Sequence, residues 1–269
     1  MFMMAPAIVA TAVRNATFVL PAGVKSCEWV GKLKDMFPYI NTSVMLLPYS
    51  MFRRWPTVGE RGFTAYKPIP PNSKNFTIAG FRQSWKYFEK EVEQKALRKA
   101  FQFNSKYEAS AEKTINDIVS KFKIADPILI GIHMRIGDLK EKVNRNLGYV
   151  MADGTFYKKA MSAAKKLFNN SKAIIFIAAS DTPKEAKAML SPLVKNYNIA
   201  WSNSTAFEDF ATLSKCNHSI ISGGTYGFWT AWLAGGKTFY FENFAKRGSY
   251  FDRGFLPGNF YLPDWIGIS

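Results

Sequence analysis

Ala125-Asp126-Pro127-Ile128-Leu129-Ile130-Gly131-Ile132-His133-Met134-Arg135-Ile136-Gly137-Asp138 holds a chain break, a buried strand and a charged loop in one short run. Asp126-Pro127 ends a helical pattern, because proline lacks the amide hydrogen that a helix interior needs and pushes the residue before it out of helical geometry. Residues 128–133 are almost wholly apolar and do not alternate, which is the pattern of a strand covered on both faces, as in a parallel sheet. A strand of that kind needs helices on either side of it.

The sequence downstream supplies them. Helical periodicity over residues 156–168, 183–190, 207–215 and 227–233 alternates with short strand-like runs at 173–178, around Ala200, at 219–222 and at 238–241. Strand and helix alternating at this spacing predict right-handed βαβ units and a doubly wound, Rossmann-like parallel sheet. Upstream, residues 87–122 read as two helices, with Glu91 and Lys95 one turn apart. Residues 6–14 and 28–36 read as helices, 17–20 as a strand, and 53–74, with Pro56, Pro68, Pro70 and Pro71, as a long loop. The expectation is an α/β chain in two lobes, residues 1–125 and 126–269, divided at Ala125-Asp126-Pro127.

The bulk composition sets limits on function. The 269 residues are 48% hydrophobic and 16% aromatic, enough apolar surface to build a substantial core. Lys and Arg number 36 against 20 Asp and Glu, a net charge of +16 that attracts nucleic acid, anionic membrane or a diphosphate alike. The basic residues stand in short pairs such as Arg53-Arg54, Lys165-Lys166 and Lys246-Arg247, which reads as a dispersed, solvated surface. No helix-turn-helix, zinc-finger or RNA-sheet pattern speaks for nucleic acid. No apolar run reaches the roughly 18 residues of a spanning helix, and residues 1–13 lack the charged start and cleavage site of a signal peptide. Cys27 and Cys216 leave two readings open, a pair of buried thiols or one long-range bridge. Glycosylation acceptor triplets begin at Asn15, Asn41, Asn75, Asn169, Asn203 and Asn217. Chance at this composition gives about two, so the excess leans toward the secretory pathway.

In doubly wound sheets, ligands sit beyond the carboxyl ends of the strands. Three polar loops fall there: His133 to Asp138, Ser180-Asp181-Thr182-Pro183, and Ser222-Gly223-Gly224-Thr225-Tyr226-Gly227. Arg135 leaves a buried strand and offers a rigid fork of charged hydrogen bonds to a diphosphate; the competing reading is an ion pair with Asp138 at the strand end. The backbone of Gly224, Thr225 and Tyr226 opens a helix and forms an anion cradle, unless the glycines serve only a tight turn. A P-loop, the G-x-G-x-x-G spacing and an Asp-x-Asp pair are all absent, and His133 and His218 make no metal cluster with other ligands, so metal-free chemistry is expected.

These residues resemble the galactoside 2-alpha-L-fucosyltransferases (glycosyltransferase family 11-like), in which a His-x-Arg-Arg-x-Asp motif follows a strand. The family's downstream motif, Thr-Phe-Gly-(Phe/Ile)-Trp-Ala-Ala-(Tyr/Trp)-Leu-(Ala/Thr)-Gly-Gly, is matched by Thr225-Tyr226-Gly227-Phe228-Trp229-Thr230-Ala231-Trp232-Leu233-Ala234-Gly235-Gly236. Asp209-Phe210-Ala211-Thr212-Leu213, Cys216-Asn217-His218-Ser219-Ile220 and the ending Tyr261-Leu262-Pro263-Asp264-Trp265-Ile266-Gly267-Ile268 are similar to family segments too. The likeness is strong from about Pro127 onward and traceable through residues 80–85.

The resemblance implies a two-lobed GT-B-like fold, with residues 1–125 as an acceptor-side lobe and 126–269 binding the GDP-sugar. It implies inverting, metal-independent transfer of L-fucose from GDP-fucose to a hydroxyl of a galactose-terminated glycan in alpha-1,2 linkage, with no cofactor beyond that donor substrate. Carried over by motif, Arg135 binds the diphosphate, His133 and Asp209 face the guanine, and Thr225 sits by the phosphates. An inverting transferase needs a base for the acceptor hydroxyl, and Asp138 and Glu141 are the carboxylates nearest the strand end; Asp138 is also explained by pairing with Arg135. Two departures stand out. Ile136 occupies the place of the motif's second arginine, and the family's Gly-x-Gly-Asn segment and Golgi membrane anchor are expected to be missing from this chain, with Met1-Phe2 standing where that segment should be ending. A relative that keeps the fold without catalysis, binding a nucleotide sugar or a glycan, is the alternative reading.

Overall fold

The computed structural model describes residues 1–14, 16–22, 26–48, 50–51, 55–59, 62–69, 75–168 and 172–269. The N-terminal elements are α1 (Ala5–Arg14), β1 (Phe18–Ala22), α2 (Ser26–Met36), β2 (Val44–Pro48), β3 (Thr57–Val58), β4 (Thr77–Ile78) and α3 (Glu91–Ala100). Next come α4 (Ser105–Phe122), β5 (Ile128–Met134), α5 (Lys142–Leu147), α6 (Gly154–Leu167), β6 (Ile174–Ser180), α7 (Pro183–Leu190), β7 (Asn198–Trp201) and α8 (Ala206–Ser214). The chain closes with β8 (His218–Ile221), α9 (Gly224–Ala234), β9 (Thr238–Phe241), α10 (Tyr250–Gly254), α11 (Pro257–Phe260) and β10 (Ile266–Ile268). Arg53, Arg54 and residues 70–74 of the proline-rich stretch, and the acceptor triplets at Asn15 and Asn169, lie outside the described residues.

The main sheet has strand order β10-β9-β8-β5-β6-β7, and every pairing in it is parallel. The chain runs outward from β5 through β6 to β7, returns to the other flank of β5 as β8, and runs outward again to β9 and β10. This reversal places a crevice between the carboxyl ends of β5 and β8. Ile130, Ile132 and Met134 of β5 and Ile175 to Ala179 of β6 are buried, as strands with both faces covered require. Gly131 lets α8 come close: a Cβ there would stand 3.2 Å from Leu213 and 3.4 Å from the Cys216 sulfur. Phe228, Trp229, Thr230, Ala231 and Trp232 of α9 are all buried, and for that reason the helix has no polar face in its sequence.

Two compact units make up the chain, residues 1–105 with 253–262, and 106–252 with 263–269. This division departs from the expected one at 125/126 for a packing reason. Ile118 of α4 is buried with Ile175, Ile177 and Cys216, and Ile115, Val119 and Phe122 pack around that cluster, so α4 belongs with the sheet. The return of residues 253–262 to the first unit was not legible in the sequence. It is made by the backbone: the Gly254 carbonyl accepts from the Phe63 and Thr64 N–H groups at 2.8 and 3.2 Å, and the Leu256 N–H donates to Thr64 Oγ1 at 2.6 Å. The short β10 also escapes a periodicity reading; it extends the sheet beyond β9 while Trp265 beside it packs on Phe228 at 5.1 Å.

The first unit holds two small parallel pairs, β1 with β2 and β3 with β4. Its fully buried Arg82 sits in the left-handed region at φ 54°. The Arg82 guanidinium donates to the Tyr87 hydroxyl at 2.7 Å, to the Lys67 carbonyl at 3.3 Å and to the Val58 carbonyl, so this buried cation ties β3 to the chain that follows β4. In the second unit Cys216 is a free buried thiol whose ionisation burial pushes up to about 12, so the long-range bridge is not formed.

Truncating Ile118 to alanine leaves a hole between α4 and β6. Urea denaturation followed at the second unit is expected to show a loss of about 2–4 kcal/mol. An effect under about 0.5 kcal/mol would mean that α4 is not part of that core.

Candidate functional site

At the reversal point the two strand ends are stitched by one side chain. The fully buried Ser222, just after β8, accepts the Arg135 N–H at Oγ over 2.9 Å and donates Oγ–H to the His133 carbonyl over 3.2 Å. Its own N–H donates to the same carbonyl at 3.2 Å. The polar groups that β5 leaves unpaired where the sheet stops are thereby satisfied, and Arg135 starts from a fixed backbone.

The Arg135 guanidinium then meets Asp138 in a two-point contact, Nε to Oδ1 at 3.0 Å and Nη2 to Oδ2 at 2.6 Å. Tyr149 and Phe244 place their rings 5.6 and 6.0 Å from the guanidinium carbon. The remaining edge lies on Gly224: a Cβ at that position would stand 2.7 Å from Nη1. Gly224 has φ +78° and its neighbour Gly223 has φ +117°, where a Cβ would run into the Phe244 ring at 2.5 Å. Both positions therefore demand glycine, for conformation and for room.

Gly223 is the N-cap of α9 and brings no side chain to it. The first N–H groups of a helix have no intrahelical partner, and those of Gly224, Thr225 and Tyr226 open beside the Arg135 guanidinium. Thr225 is exposed at this end. A helix N-terminus and a guanidinium that converge at one point have the donors and the charge to receive a doubly charged anion, and the left-handed glycines bring the backbone to that point.

His133 lies beneath this rim, stacked on Tyr226 with ring centroids 4.8 Å apart. Gly227 permits that contact, since a Cβ there would stand 2.6 Å from His133 Nδ1. Burial holds the imidazole down to about 4, against a smaller opposing pull from Asp181, so it is neutral at ordinary pH. The Tyr226 hydroxyl donates to the Ala206 carbonyl at 2.6 Å, joining α9 to the start of α8. Asp209 on α8 is buried, and its Oδ1 accepts from the Ser202 hydroxyl and from the Ser204 N–H at 3.3 Å. Burial raises its carboxyl above the usual range, partly offset by the Ser202 hydrogen bond. Among the described residues no donor reaches Oδ2, which leaves that oxygen open to a ligand.

Arg135, Asp138, His133, Gly224, Thr225, Tyr226 and Asp209 thus gather along β5, α8 and α9. The guanidinium of Arg135 holds the Asp138 carboxyl below its ordinary value, the opposite of what a proton acceptor needs. Glu141 is not gathered: it is exposed at the N-cap of α5, and its side chain makes no cap bond. Ile136 is buried at 1% exposure, so its side chain belongs to the core and the rim carries one arginine.

Residues that motif reading passed over complete the site. Asp181, beyond β6, accepts the Ile136 N–H at Oδ1 and the Gly137 N–H at Oδ2, each at 3.0 Å, and so fixes the turn that follows Arg135. The loop Ser180-Asp181-Thr182-Pro183 was legible as a rim element, but its partner 44 residues away was not. Ser222 was legible as the start of the third polar loop, but its bonds to the end of β5 were not; Tyr149 and Phe244 carry no spacing signal at all.

The model of the family described as Glycosyl transferase family 11 matches residues 63–269. The chain belongs to glycosyl transferase family 11. The family 11 chain is 29% identical over 195 residues to galactoside alpha-(1,2)-fucosyltransferase 1 of Homo sapiens, covering 71% of this chain and 52% of that protein. To the Rattus norvegicus protein of the same description it is 30% identical, covering 71% of this chain and 50% of that protein. It spans about half the length of these relatives. Among solved structures it is similar to POFUT1 in complex with GDP, at 10% identity and TM-score 0.47, covering 90% of this chain and 93% of that chain.

The neutral His133 makes stability pH-dependent. Below the ordinary histidine value of 6.5 the unfolded chain takes up a proton that the folded chain refuses until about 4, so stability falls as pH falls through that window. In urea titrations across it, wild type should lose about 3 kcal/mol more than His133→Gln. Equal losses in the two proteins would show that the ring is not held neutral.

Proposed function

We propose that this family 11 chain transfers L-fucose from GDP-fucose to a hydroxyl of a galactose-terminated glycan, forming an alpha-1,2 linkage with inversion and without a metal ion. One observation carries the reading: the Arg135 guanidinium laid against Gly224 at the open first turn of α9, where the sheet reverses. A diphosphate leaving group gains negative charge as the glycosidic bond breaks, and groups already aimed at that charge stabilise the transition state without reorganising. Arg135, the N–H groups of Gly224, Thr225 and Tyr226, and the Thr225 hydroxyl are assigned to the diphosphate. The open Oδ2 of Asp209 is assigned to the guanine N–H groups, which pair naturally with a carboxylate. His133 serves by bracing Tyr226 from below. The similarity to relatives described as galactoside alpha-(1,2)-fucosyltransferases supports the transferred sugar, the acceptor and the linkage.

Acceptor recognition is assigned to the first unit, and the chain to the Golgi lumen. Asn75 and Asn203 of the acceptor triplets are exposed, in keeping with a secretory route, whereas Asn217 uses its Oδ1 to accept the Leu129 N–H at 2.8 Å. No described helix is long and apolar enough to cross a membrane.

Burial of Ile136 and engagement of Arg135 by Asp138 favour a second reading, a relative that binds GDP or a glycan without turnover. Calorimetric titration with GDP and GDP-fucose in the presence of a chelator, followed by a transfer assay on galactosides, separates the two. The transferase reading expects saturable binding, a loss of about tenfold to a hundredfold in Arg135→Ala, as for a lost charged hydrogen bond, and fucose transfer by wild type. GDP binding with no transfer supports the second reading. Absence of binding by a folded chain contradicts both.

A further inference from the structure

In the first unit the dipeptide Phe81-Arg82 inverts the usual order of burial: the cation is wholly inside, and the phenyl ring beside it is 49% exposed. Gly80 before the ring has φ +98° and Arg82 after it has φ +54°. Left-handed backbone is unfavourable for arginine and persists only where the surroundings enforce it. Here they do so from both sides. Before Gly80, the Thr77 and Ala79 N–H groups donate to the Pro56 and Val58 carbonyls at 2.9 and 3.1 Å. After the ring, Tyr87, Lys67 and Val58 hold the Arg82 guanidinium, and the Arg82 carbonyl accepts the Ser84 N–H at 2.9 Å. The backbone of Phe81 is thus fixed in a conformation that keeps its side chain at the surface.

The ring itself is supported from below. It stacks on Phe63 with centroids 5.4 Å apart and planes inclined by 26°. Phe63 is set in turn by Gly254, whose carbonyl accepts the Phe63 N–H at 2.8 Å and where a Cβ would stand 2.9 Å from the Phe63 ring. Stacking covers one face of Phe81, so the surface it shows to solvent is the other face and the rim. Tyr66, 40% exposed, rests in the same way on a deeper ring, 4.9 Å from Tyr87, and the Tyr87 hydroxyl is the one that accepts from Arg82. One buried arginine therefore underlies two exposed aromatic rings.

We propose that Phe81 is a stacking platform for a galactose ring of the acceptor glycan, an inference that rests on the transferase reading above. The face of a phenyl ring is negative, and the carbon-bound hydrogens of a pyranose are slightly positive, so the two attract when laid flat on each other. Galactose suits such a platform because its axial O4 leaves the hydrogens of C3, C4 and C5 together on one face. Its equatorial O2 then stays at the rim of the stacked ring, free to receive a sugar. A single ring face set between Gly80 and Gln83 in the chain matches one sugar and falls far below the roughly 800 Å² per partner of a stable protein interface.

The test measures fucose transfer to lactose by wild type, Phe81→Ala, Phe81→Trp and, as a control at another exposed aromatic of the first unit, Tyr39→Ala. Saturation-transfer NMR of lactose and of cellobiose, with GDP present, reads sugar binding without turnover. In Phe81→Ala the KM for lactose is expected to rise about tenfold, with kcat and the KM for GDP-fucose within about twofold of wild type. Phe81→Trp restores the lactose KM, and Tyr39→Ala leaves it unmoved. An unchanged lactose KM in Phe81→Ala, or an equal rise in Tyr39→Ala, overturns the proposal and leaves the transferase reading standing. If wild type transfers no fucose, that reading fails and the NMR decides alone. A lactose signal that exceeds that of cellobiose and is lost in Phe81→Ala supports the platform; no lactose signal, or equal signals from the two sugars, overturns it.

Discussion

A parallel sheet that reverses its winding direction leaves two adjacent strands ending side by side with no crossover covering them, and their last peptide groups must find partners. Here Ser222 answers for β5, with Oγ placed between the His133 carbonyl and the Arg135 N–H. The rest of the rim depends on that position. It sets where Arg135 leaves the sheet, and it starts the turn through Gly223 and Gly224 that brings α9 against the guanidinium. With the backbone held by Ser222 on one side and Asp181 on the other, Arg135 loses little freedom on meeting an anion, which is the sense in which such a site is preorganised.

The local electrostatics follow from how few charges the rim keeps. Asp138 already partners Arg135, His133 is neutral, and Ile136 contributes no cation. The net positive character at the anion position therefore comes from the α9 N-terminus together with a guanidinium whose partner is itself partly exposed, so that a diphosphate competes with Asp138 for it in a screened setting. Of the chain's net charge of +16, the first unit carries +10 and the second +6, the latter over residues 154–201, away from the rim.

Much of this was legible before any coordinates. The unalternating run at 128–133 announced a strand buried on both faces, and the helix and strand spacing after it announced the doubly wound order, because those patterns follow directly from which faces are covered. Arg135, Gly224 and Thr225 were legible because a polar loop must follow each strand and ligands gather there. What failed to show were contacts between residues far apart in the chain with no pattern of their own: Asp181 on the amides of Ile136 and Gly137, the return of residues 253–262, and the packing of α4 on β6.

A crystal structure of the chain bound to GDP tests the central claim most directly. The account predicts the diphosphate at the first turn of α9, accepting from the N–H groups of Gly224, Thr225 and Tyr226 and from Arg135, with the guanine toward Asp209. A diphosphate seated away from the β5–β8 crevice, with those N–H groups left to water, would contradict it.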